Sequence, residues 1–165
     1  METLSQDWAG FGQVAGGASG ALIGLLFVAV SLNRERILQR PALHAGAMQT
    51  VIMFMLPLLI AILLVTPRQP SWVLGIEVTI LGCLHGLALV LAARMKHKAA
   101  DGDQSRIARL LEYTSPNTTT TLIVLAAGGV LLSGHVIGAY LLVPAVILAL
   151  IGGVTNAWMF LTGRA

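Results

Sequence analysis

Charge is the scarcest property of this chain. Of its 165 residues 10% are charged and 56% hydrophobic, with a mean hydropathy of +0.85. Soluble domains carry about 25% charged residues, and a chain of this length leaves too much surface wet to hide such an apolar surplus. An ordinary water-soluble domain is excluded, and the surplus is expected to face lipid. Cysteine is nearly missing as well. Cys83 stands alone in an apolar run, so no intramolecular disulfide and no Cys/His zinc spacing can form. It reads as a small hydrophobe in a helix interface. Lysine and arginine are absent from Met1-Glu2-Thr3-Leu4-Ser5-Gln6-Asp7-Trp8, which excludes the basic opening of a secretory signal peptide. The first apolar segment is expected to be a retained helix.

Catalytic and cofactor motifs are lacking too. There is no Gly-x-Ser-x-Gly elbow, His-Glu-x-x-His pair or phosphate loop. The potassium-filter sequence Thr-Val-Gly-Tyr-Gly is absent, and so is a cluster of carboxylates with histidines. The halves show no inverted repeat of the transporter kind. No enzyme activity, metal or cofactor is expected. The net charge of +3 and the pI near 9.6 sit in segments beside apolar runs. Attraction to anionic lipid headgroups accounts for them without nucleic acid.

What the chain has in abundance is glycine at a telling spacing. Gly12, Gly16, Gly20 and Gly24 recur every fourth residue of the first apolar run. Each costs roughly 0.8–1 kcal/mol in a water-exposed helix, whereas in a bilayer a glycine ridge lets another backbone approach. Gly82 and Gly86 form a similar pair, and Gly128-Gly129 and Gly152-Gly153 offer further close approaches. The interface served by the first ridge, within the fold or between protomers, is left open by the sequence.

The expected fold is all-α, a polytopic transmembrane bundle forming one domain over residues 1–165. A crossing helix needs roughly 20 apolar residues, and five segments qualify: about 12–32, 42–65, 72–93, 117–134 and 139–161. The last two divide an apolar stretch of about 67 Å at helical rise, with Ser133-Gly134-His135-Val136-Ile137-Gly138 as the break. The alternative is four spans plus a re-entrant segment. Nine of the ten basic residues then share one face, Arg68 being the exception. The positive-inside rule makes that face cytoplasmic, with the N-terminus outside and the C-terminus inside, as in a bacterial inner-membrane protein. Trp8, Trp72 and Tyr140 fall at outer ends, and Tyr113 and Trp158 at inner ends, where such rings prefer the headgroup zone. In the basic loop 94–116, Asp103 can cap a short surface helix from which Arg106 and Arg109 reach lipid phosphates.

Few polar groups enter the spans. Glu77 is the only acidic one, about 7 Å inside the outer boundary, where it can pair or simply reach toward water. His85 lies two turns deeper, as either a buried imidazole bonded to a Ser, Thr or carbonyl, or a pathway residue. His135, in the outer turn, could approach Glu77 as a pH-sensitive latch, because histidine titrates near neutrality. Haem is unsupported, since no second histidine lies at the depth of His85. Ser31, Asn33, Thr155 and Asn156 gather at the inner ends, suited to interhelical bonds or to lining a vestibule. Pro57 and Pro144 are expected to kink their helices.

Gly17 to Asn33, ending Phe27-Val28-Ala29-Val30-Ser31-Leu32-Asn33 and followed by Arg34-Glu35-Arg36-Ile37-Leu38, resembles the start of a small bacterial polytopic membrane-protein family. Members have a Trp before this Gly/Ala-rich helix and Ser-Leu-Asn at its inner end. Some carry an automatic label as modulators of a membrane AAA protease. The likeness covers about the first forty residues and transfers no functional residue. The function expected is a non-enzymatic oligomeric or accessory membrane subunit working through glycine-mediated packing. The alternative is an oligomeric ion or proton channel with Glu77, His85, His135, Asn33 and Asn156 on its pathway.

Overall fold

A computed structural model describes residues 4–99 and 116–162, and the regular elements among them are all helices. In order they are α1 (Leu4–Leu32), α2 (Arg34–Gln39), α3 (Pro41–Val65), α4 (Ser71–Ala99), α5 (Pro116–Leu132) and α6 (Gly138–Thr162). Their ends follow the punctuation of the sequence. Pro41 and Pro116 each open a helix, where a missing N–H costs no intrahelical bond. Gly134 ends α5 with φ 85°. Its N–H reaches the Leu131 carbonyl, and that of His135 reaches Val130, the paired closure of a Schellman cap.

The long helices are apolar around their whole circumference. Phe54, Ile60, Leu131 and Leu142 are buried, while Phe27, Ile80, Leu122 and Ile147 are exposed. A helix facing water would turn a polar stripe outward, so this outer surface suits hydrocarbon. Four helices hold stretches long and apolar enough to cross a membrane: Asp7–Leu32, Leu43–Val65, Ser71–Ala92 and Gly138–Met159. The chain is a helical membrane protein on that ground. The apolar part of α5, Asn117–Leu132, is shorter, about 24 Å against roughly 30 Å of hydrocarbon.

Although short, α5 lies antiparallel along α4. Gly75 faces Leu131 and Leu132, Thr79 faces Gly128, Gly82 faces Val124 and Leu125, and Gly86 faces Thr121. One set of numbers rises as the other falls, without reversal. Helices α3, α4, α5 and α6 close into a ring, and α1 packs outside it, chiefly on α3. The ring core holds Leu56, Ile60, Val78, Val124, Leu131, Leu142 and Ala145.

The element boundaries differ from expectation at three places. Helix α1 starts at Leu4, eight residues before Gly12. The basic stretch after it contains helix α2, which tucks Ile37 against Leu43 and Ala47. Helix α4 continues to Ala99, so residues 94–99 are helical rather than loop. No Gly or Pro interrupts Ala92 to Ala99, and Arg, Met, Lys and Ala all favour helix. Arg106, Arg109 and the helix expected around them lie outside the described residues.

Candidate functional site

The glycine ridge of α1 does not act as one surface. Each helical residue turns the chain by about 100°, so a row taken every fourth residue drifts about 40° per step. Gly12 and Gly24 are thus about 120° apart. The buried side of α1 is a tighter row, Trp8, Gly12, Ala15, Ser19 and Leu26. A Cβ on Gly12 would stand 2.6 Å from Val65 Cγ2 and 3.1 Å from the Ala61 carbonyl, and one on Gly16 would stand 3.3 Å from Ala61 Cβ. Beside Gly20 and Gly24 there is open space within 4 Å. The upper half of the ridge lies against α3 and the lower half faces outward. Gln13, Gly17, Gly20 and Gly24 share that outward side, and all four are exposed.

Glycines confined as closely lie elsewhere, some of them against backbone. A Cβ on Gly75 would sit 2.6 Å from the Leu132 backbone nitrogen, and one on Gly138 would sit 2.8 Å from the Ala127 carbonyl. Gly128 abuts Thr79, and Gly153 abuts the Phe54 ring. Gly82 and Gly86 meet side chains instead, Leu125 at 2.9 Å and Thr121 at 3.1 Å. Spacing alone did not single out Gly75 or Gly138, because a glycine seated against one partner backbone needs no periodic companion.

Where α6 meets α3, Asn156 reaches across. Its Nδ2 donates to Thr50 Oγ1 at 2.7 Å and to the Gly46 carbonyl at 3.1 Å, and Thr50 itself donates to Gly46 at 2.9 Å. Thr50 is fully buried and was not singled out from the sequence, since a lone threonine in an apolar run carries no pattern. Asn33 is occupied separately, donating to its own helix at the Ala29 carbonyl, 2.9 Å away. Ser31 and Thr155 likewise bond to carbonyls one turn back and are exposed. Ser31, Asn33, Thr155 and Asn156 therefore do not form a continuous lining.

Glu77 and His85 are held by different partners. Glu77 Oε2 accepts from Gln69 Nε2, in the connection between α3 and α4. His135 is exposed in the turn between α5 and α6, and no described hydrogen bond joins it to Glu77. His85 is 6% exposed, with Nδ1 3.0 Å from Thr121 Oγ1. The Thr121 hydroxyl donates to the Asn117 carbonyl at 2.9 Å. Its oxygen is then left to accept from His85, which puts the ring proton on Nδ1. Nε2 is buried without a hydrogen-bond partner. A bare acceptor is the less costly orphan, so burial agrees with this tautomer.

At the same end as Asn33, a half-open crevice is lined by Asn33, Arg36, Ile37, Leu43 and Leu161. At the opposite end Trp8 packs edge-on against Tyr140 at 5.0 Å and Phe11 at 5.8 Å, tying the start of α1 to α6. Among the described residues no three His, Cys, Asp or Glu side chains are grouped to hold a metal. No family model, curated protein or solved structure matches the chain.

Proposed function

We propose that the protein is a non-enzymatic subunit of the bacterial inner membrane, crossing it five times, that associates with further copies of itself through the outward side of α1. The observation carrying this reading is the open face of Gln13, Gly17, Gly20 and Gly24. Only 17% of the α1 span is buried in the fold, against 44% for the spans of α3 and α6. Glycines with open space beside them let a second backbone approach. The Gln13 amide, with no hydrogen-bond partner among the described residues, carries both donor and acceptor and can pair with its own copy.

Gly20→Leu is the decisive variant, because nothing in the protomer obstructs the new side chain. In nanodiscs or detergent its helix content should match wild type, while cross-linking and light scattering show fewer oligomers. An unchanged oligomer distribution in Gly20→Leu and Gln13→Leu would refute the assignment.

Conduction draws less support within one protomer. Glu77, His85, Asn33 and Asn156 each bond elsewhere, and Ile60, Val78, Val124 and Leu142 fill the ring interior at 0% exposure. Liposomes holding the wild type should therefore show no more ion flux than empty ones. Flux abolished by Glu77→Gln or His85→Ala would restore the channel reading.

A further inference from the structure

The crevice at the basic end combines a polar and an apolar wall. It encloses about 190 Å³, counting the open space at its mouth. Arg36 and Asn33 supply its polar side, and Ile37, Leu43 and Leu161 its apolar side. Three elements build it. The break at Asn33 turns α1 into α2, burial of Ile37 against Leu43 holds α2 down on the start of α3, and Leu161 comes from the last turns of α6. Arg36 is exposed, and no described ion pair engages it. Asn33 uses one amide hydrogen on Ala29 and has a second N–H free to donate. An unpaired guanidinium beside an amide donor favours a phosphate oxygen, to which arginine can give parallel hydrogen bonds.

We propose that this crevice binds the phosphodiester of an anionic phospholipid from the leaflet at the basic end. The inference rests on the membrane reading but not on self-association through α1. A phospholipid is favoured over a free phosphate by the walls. Leu161 is itself exposed, and Leu32 and Leu38, next in sequence to the lining residues Asn33 and Ile37, are 81% and 63% exposed, so apolar side chains suited to glycerol and upper acyl chain accompany the donors. Basic pockets between helix ends on the cytoplasmic side are a recurring lipid-headgroup site.

The test uses the purified full chain in detergent, titrated with phosphatidylglycerol, phosphatidylcholine or inorganic phosphate and read by native mass spectrometry. Phosphatidylglycerol should bind in preference to phosphatidylcholine, and Arg36→Gln should weaken it about tenfold, the scale of one charged hydrogen-bond contact. Arg34→Gln, two residues away and outside the crevice, should change binding less than about twofold, as a diffuse surface charge does. Should Arg36→Gln fail to fold, Asn33→Asp provides the second arm, because a carboxylate there repels the phosphate and weakens binding likewise. Equal loss in Arg34→Gln and Arg36→Gln would overturn the site in favour of general surface charge. Equal binding of phosphatidylcholine would overturn it too, and displacement of phosphatidylglycerol by millimolar inorganic phosphate would assign the crevice to a free anion. Oligomeric state, unchanged in Arg36→Gln, keeps this result separate from the α1 interface.

Discussion

Single residues in this bundle are governed by whether a polar atom or a missing Cβ has a defined neighbour. His85 and Thr121 illustrate the asymmetry. Thr121 accepts from His85 while donating to its own helix, and the other ring nitrogen has no partner. Removing Thr121 with Thr121→Val leaves the buried Nδ1–H unsatisfied, a cost of about 1–3 kcal/mol. Removing the ring with His85→Leu discards one bond and one orphan together, and should cost less. Unfolding in mixed micelles should rank the two variants in that order. If His85→Leu is the more damaging, the imidazole contributes something beyond its bond to Thr121.

At the scale of the element, α1 stands apart from the other long helices. It touches the ring mainly through α3, with the edge-on stacking of Trp8 on Tyr140 as its tie to α6. Of the α1 glycines, Gly12 sits closest against α3. Gly12→Leu should therefore detach α1 at its upper end while α3 to α6 stay assembled. Hydrogen exchange should show faster exchange through Ala9 to Ser19 and unchanged protection in α4 and α5. Loss of protection throughout the ring would mean that α1 is an integral part of the core. The contrast with Gly20, eight residues away and facing open space, follows from helical geometry alone: two steps of the row move the side chain position by about 80°.

The whole molecule is defined by direction as much as by composition. Helices α4 and α5 oppose one another from Gly75 to Gly86, and a tight cap at Gly134 returns the chain into α6. If each long helix crosses the membrane, Gln69 and Ser133 share one side and Arg40 lies on the other. In a Cys83→Ser background, Gln69→Cys and Ser133→Cys should react with an impermeant thiol reagent from the same side, and Arg40→Cys from the opposite one. Reaction of Ser133→Cys from the Arg40 side would show that α5 fails to cross and would leave the four-span alternative.

Several features could be read directly from the residues. The membrane class, the helical content and the break between α5 and α6 depend on local chemistry: apolar run length and glycine's access to positive φ. The sparse polar residues could be named for the same reason, since few compete for attention in so apolar a chain. Their partners could not. Gln69 beside Glu77, Thr50 beside Asn156 and Thr121 beside His85 depend on which helices adjoin and how they are rotated, and a sequence apolar on all sides of each helix leaves that rotation unspecified. Lipid and protein interior are equally apolar, so hydrophobicity marks the spans but cannot say which face turns inward. Close packing decides it, and that is why Gly12 lies inside the fold, Gly20 outside, and Gly75 against a backbone.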